Sequence, residues 1–86
     1  MPELERRLSG TGVPTDRPRE TLDARELPPP QPLQRTLELL PELDDETVLV
    51  QFNDRAPRHL YPKLTERGYE HETVGEDPVL TAIWRP

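Results

Sequence analysis

Apolar side chains in this chain fall into four short runs and two periodic segments separated by proline- and glycine-rich joints, and this pattern restricts the fold more than any single motif does. The runs at 20–25, 47–52, 69–74 and 79–84 each have the length of a strand. Thr47-Val48-Leu49-Val50-Gln51-Phe52 carries the strongest strand signal, because β-branched and aromatic side chains suit a pleated, buried surface. In the first run Leu22 and Ala24 alternate with Thr21 and Asp23, and in the third acids alternate with larger groups, as in strands with one wet face. Gly75-Glu76-Asp77-Pro78 turns the chain into the last strand, Val79-Leu80-Thr81-Ala82-Ile83-Trp84.

The joints place the helices. Leu27-Pro28-Pro29-Pro30-Gln31-Pro32 ends the first run, and since proline fixes φ and lacks an amide donor, the stretch stays extended until Pro32 enters the first turn of a helix. There Leu33, Leu37 and Leu40 follow i, i+4, i+7 spacing and form one apolar stripe, which Pro41 is expected to end. Asp44-Asp45 make a polar turn. A second helix over 57–67 points Leu60 and Leu64 inward and places Gly68 just beyond its C-cap; Pro62 fits only if the first turn is irregular. The order β-α-β-α-β-β, with right-handed crossovers, predicts an α/β two-layer sandwich with a mixed four-stranded sheet and both helices on one face.

A chain of 86 residues supports one compact domain with a small core. Residues 1–19 hold Gly10, Gly12, Pro14 and Pro18 among charged and hydroxylated residues and are expected to form a flexible tail, in which Leu4 and Leu8 share one face of a marginal turn; the domain proper is 20–86. Acids and arginines balance up to Glu20, so the net charge of -6 comes from the rest, with thirteen of the seventeen acids and seven of the eleven bases. A field of that sign repels phosphate backbones, and no basic patch offsets it, so no nucleic-acid partner is expected. Ten of the bases are arginine and one is Lys63, a composition equally at home in a high-salt cytoplasm and in the product of a GC-rich genome. The absence of cysteine excludes disulfides, thiolate metal sites and thiol nucleophiles. Val48-Leu49-Val50 is the longest aliphatic run, far short of a membrane span, and Met1-Pro2-Glu3-Leu4 does not open like a secretory signal, so the expected location is cytoplasmic, away from membranes.

The stretch from Leu22 to Leu33 resembles the opening of a TusA/SirA-like domain. More narrowly, Arg25-Glu26-Leu27-Pro28-Pro29-Pro30, then Asn53-Asp54, Pro57 and Leu60-Tyr61 resemble domain-of-unknown-function family 2249, over roughly 20–85. The resemblance implies the fold of a sulfur carrier whose Cys-Pro-x-Pro turn would set a thiolate at the first helix N-terminus. Here the Pro-x-Pro frame stands as Pro30-Gln31-Pro32, with Pro29 in place of the thiol. The family's Asn-Asp-His-Asp-Pro loop reads Asn53-Asp54-Arg55-Ala56-Pro57, so any metal role of that histidine does not carry over. Ala56 in the helix-capping position should cost about 1 kcal/mol unless Asp54 caps instead. The resemblance also implies an association with hemerythrin-like or respiratory redox proteins.

Two places could carry function. At the loop end, Glu26, Arg25, Asn53, Asp54, Arg58 and His59 are candidates for binding a small ligand or anion near the helix N-termini, with Glu26, Asp54 and His59 as acid-base groups if the protein were an enzyme. Against this, no nucleophile-base-orienter set is visible, acids near helix starts are routine, and His59 and His71 lack ligand spacing; His71 is expected to pack beside Tyr69. No catalytic residue, metal ligand or cofactor is therefore assigned. On the sheet, the last strand is apolar on both faces, so Trp84, Leu80 and Ala82 form a surface for a protein partner, a second copy or the chain's own tail. The leading expectation is a non-catalytic binding or accessory module.

Overall fold

The computed structural model describes residues 12–14, 16–76 and 78–86; the single turn expected around Leu4 and Leu8 lies outside them. Four strands and two helices follow in the order β1 (Arg19–Asp23), α1 (Gln31–Leu39), β2 (Val48–Asn53), α2 (Leu60–Glu66), β3 (Glu70–Val74) and β4 (Val79–Trp84). The sheet order is β1-β2-β4-β3, with β1 parallel to β2 and both other pairs antiparallel. The mixed four-stranded sheet is thus the expected one.

Side-chain alternation divides the core into two layers. Toward the helices, Leu49 of β2 and Ile83 of β4 meet Leu60 and Leu64 of α2 and Leu33, Leu37 and Leu40 from the α1 side. The stripe read from the sequence is therefore the inner face of α1. On the outer side of the sheet, Val48, Val50, Leu80 and Ala82 form a second cluster, flanked by the half-buried Phe52, Val74 and Trp84. Val13, from the segment preceding β1, is part of this cluster and only 5% exposed.

Element ends differ from the expected ones where proline was read as a stop. Pro41 does not terminate the helical segment but sits inside a 3₁₀ turn, Leu40–Glu42, that continues α1 and buries Leu40. Pro41 stands at the opening of that turn, which the Leu43 amide closes onto the Leu40 carbonyl at 3.2 Å. Conversely α2 begins at Leu60, not at 57, since Arg58 and Leu60 donate their amides to the Ala56 and Pro57 carbonyls in a tight turn. Pro62 is then the third helical residue, where no intrahelical amide bond is lost. Beyond the Arg67 cap, Gly68 adopts φ 81°, its amide bonds to Thr65 and that of Tyr69 to Leu64. This is the paired 5→2 and 6→1 closure of a Schellman motif, and Tyr69 packs into the same cluster as Leu64.

β1 starts at Arg19 and ends at Asp23, leaving Ala24 past the strand but buried, its amide bonded to the Phe52 carbonyl at 2.8 Å. Between β1 and α1 the Pro29–Pro30 peptide bond is cis.

Candidate functional site

Parallel pairing of β1 and β2 brings their C-terminal ends together, with Asp23 beside Phe52 in register. Here Asp23 closes a turn onto Arg25. Its Oδ1 accepts the Arg25 amide at 3.1 Å and Nε at 2.9 Å, and its Oδ2 accepts a terminal guanidinium nitrogen at 2.7 Å. The guanidinium carbon lies 5.8 Å from the centre of the Phe52 ring. These side-chain bonds, and then the amide bond, hold the Asp23 carboxyl at about 2 against an ordinary 3.8, and they raise Arg25 in turn. Asp54 and Glu26 act on Arg25 only as nearby charges. Asp23 was absent from the sequence candidates, which named Arg25 and Glu26 at this strand end.

After β2 the loop hangs on one side chain. Asn53 Oδ1 accepts the amides of Asp54 at 2.7 Å and Arg55 at 3.4 Å, while its Nδ2 donates to Gln51 Oε1 at 3.3 Å. Gln51 Nε2 donates to Thr36 Oγ1 at 2.8 Å, and Thr36 donates to the Pro32 carbonyl at 2.8 Å. Gln51 and Thr36 are fully buried, so each polar group finds a partner where water cannot reach. The relay ties the Asn53-Asp54-Arg55 loop through β2 to the first turn of α1. Sequence reasoning missed it; the one available signal was a glutamine inside an otherwise apolar strand.

The same layer continues across the sheet, where Gln51 faces Thr81. Thr81 and Thr73 hydroxyls lie 3.1 Å apart, and Thr73 is 2.6 Å from the Tyr61 hydroxyl. His71 stacks on Tyr61, with ring centres 4.6 Å apart and planes within 5°. Alternation along β3 turns His71 toward α2. Tyr69 receives Arg85, which lies 4.8 Å over its ring and donates to its hydroxyl at 3.1 Å.

Several of the expected binding groups are exposed and separate. Arg25, Glu26 and Asp54 form one charge cluster, but among the described residues no hydrogen bond or ion pair joins Arg58 or His59 to it. His59 occupies the N-cap of α2 without a side-chain cap bond, so Asp54 does not replace the missing capping aspartate. At the start of α1, Gln31 and Gln34 donate their amides to the Pro28 and Pro30 carbonyls, and Pro32 has no amide. At most the Leu33 amide remains for an anion, too little for the cradle a thiolate or phosphate would need. Among the described residues no three histidine or carboxylate side chains converge as metal ligands.

On the outer face, Leu80 and Ala82 are buried in one cluster with Val13, and Trp84 alone of the three expected partner residues keeps exposed surface, beside Phe52 and Val74. The opposite end of the sheet holds a cavity of about 400 Å³ lined by Asp16, Arg17, Asp45, Glu46 and Arg85, where Arg17 donates to the Arg85 carbonyl at 2.7 Å.

The molecule is therefore a two-layer α/β domain whose helices cover one face of a mixed sheet and whose other face carries a second apolar cluster. The chain belongs to the family described as an uncharacterized conserved protein, DUF2249, whose sequence model matches residues 21–85. No curated protein and no solved structure matches the chain significantly.

Proposed function

We propose that the protein is a non-catalytic binding or accessory module that meets a protein partner through the outer face of its sheet. One observation carries the reading: the outer apolar cluster is covered in part by Val13, which lies outside both the sheet and the family-matched residues 21–85. The half-exposed Phe52, Val74 and Trp84 form the rim on which a partner would first land.

The Pro30-Gln31-Pro32 frame supports descent from a TusA/SirA-like carrier that has lost its thiol, with Pro29 in the vacated position. The redox or respiratory association implied by the family resemblance directs the search for a partner to that fraction of the native lysate. The test is capture from such a lysate by immobilised wild type, Trp84→Ala and Val13→Ser. Trp84→Ala should lose the captured protein, and Val13→Ser should retain more of it. Equal recovery by all three would overturn the reading.

A further inference from the structure

The outer face of the sheet is covered only in part, and the strand register defines what stays open. Residues opposite one another in a sheet share a face. Val50 lies opposite Ala82 and Ala82 opposite Glu72, while Trp84 lies opposite Glu70. Val13 therefore shares its cluster with β2 and β4, and Glu70 and Glu72 of the edge strand β3 border the same face. Trp84 and Glu72 keep part of their surface, and Glu70 is exposed. Among the described residues no ion pair or hydrogen bond holds either glutamate side chain. The open strip is thus one aromatic ring flanked by two carboxylates.

Residues 1–11 precede Gly12, and the packing of Val13 decides where they set out. Val13 is 5% exposed within the outer cluster, so the chain leaving it toward Met1 starts on this face and not on the helical one. Strands stand about 4.8 Å apart, which puts β3 about 5–10 Å from a residue packed over β2 and β4. Leu8 lies five positions before Val13, an extended reach of about 17 Å. The side chains also match. Leu4 and Leu8 stand at i, i+4, and on a helical turn Arg7 borders the stripe they form while Glu5 borders its other side. Docking that stripe on Trp84 with Arg7 toward β3 brings a guanidinium to the two glutamates. A second copy would bring Glu70 and Glu72 to this strip again, carboxylate against carboxylate.

We propose that residues 1–11 fold back from Val13 over the open strip, with Leu4 and Leu8 against Trp84 and Arg7 beside Glu70 and Glu72. The chain thereby supplies an occupant for its own docking surface. Competition between this segment and a protein partner rests on the reading of the outer face given above, whereas the contact with Trp84 does not.

Trp84 is the sole tryptophan, so its emission and its quenching by neutral acrylamide report the contact in the full chain. Leu4→Ser combined with Leu8→Ser should shift the emission to longer wavelength and raise the quenching constant. Far-ultraviolet circular dichroism should stay unchanged, since both positions lie outside the described fold. Arg7→Glu should act in the same direction, and adding Glu70→Arg and Glu72→Arg should restore the wild-type values. Wild-type quenching should hold over about a hundred-fold dilution, because the segment is tethered to the face it covers. If the charge-swapped chain fails to fold, the leucine variant decides. A Trp84 unmoved by the two leucine changes, a folded charge swap that restores nothing, or quenching that rises on dilution would each overturn the proposal. In the lysate capture, an uncovered Trp84 with no partner recovered by any variant overturns only the earlier reading and leaves this contact standing.

Discussion

Asp23 shows how much one side chain at a strand end can organise. Its carboxylate accepts three bonds from Arg25, and the pair is the only strongly shifted set among the titratable groups described. The side chains are 55% and 44% exposed, so solvent screens the attraction and the pair fixes the turn more than it stabilises the fold. A carboxylate whose folded pKa lies below its unfolded value favours the folded state above the unfolded pKa and loses that effect as pH falls through the folded one. For Asp23 that window runs from 3.8 down to about 2. Carboxyl carbon shifts followed by NMR should show Asp23 titrating near about 2, and Arg25→Gln should return it toward 3.8. A midpoint that Arg25→Gln leaves in place would mean that the guanidinium is not the cause. The sequence shows Asp23 merely as one polar position in an alternating strand. The two-residue spacing to Arg25 becomes a bond only because β1 ends there and the chain turns.

At the scale of elements, the order of strands and helices was legible because two periodicities, alternation in the strands and i, i+4, i+7 in α1, dominate the sequence. Boundaries were less legible where proline has two meanings, stopping a helix in its interior yet fitting its first turn, as Pro41 and Pro62 both do. Least legible was what joins the elements. Thr36 and Gln51 are fifteen residues apart, and neither has a pattern of its own; only the packing of α1 on β2 makes them partners. That bond is also a constraint on mutation. Thr36→Val keeps the volume and removes the hydroxyl, leaving the buried Gln51 amide without its acceptor, at a cost of about 1–3 kcal/mol. Adding Gln51→Leu removes the orphaned donor, so the double variant should recover part of that loss, although Asn53 then loses its bond to Gln51. Urea unfolding of both variants measures this. A double variant less stable than the sum of the two single changes would mean that the relay matters chiefly through Asn53 and the loop.

At the scale of the molecule, the two faces of the sheet are apolar for different reasons. The inner one is closed by helices whose stripes match it, and the outer one is as deeply buried at Val48, Val50 and Ala82, each at 0% exposure, although neither of the two helices of the described residues lies on it. The sequence exposed this imbalance in β4, where both alternating sets are apolar. It did not point to Val13, since a single valine in a proline- and glycine-rich stretch has no periodic signal to announce that it is packed. Val13→Ser removes apolar contact from the outer cluster and should cost about 1–2 kcal/mol by the area it uncovers. The same change should shift Trp84 emission to longer wavelength and increase binding of a hydrophobic dye, because Trp84 borders the cluster that Val13 covers. The inner core offers the control: Leu64→Ala should cost more, about 2–5 kcal/mol, yet leave Trp84 emission of the folded state unchanged, since Leu64 belongs to the other cluster. If Val13→Ser alters neither stability nor Trp84, the outer face is held by the sheet alone and the segment before β1 is not its cover. If it alters Trp84 while the fold persists, the domain is stable with that face exposed, as a module that exchanges its own cover for a partner must be.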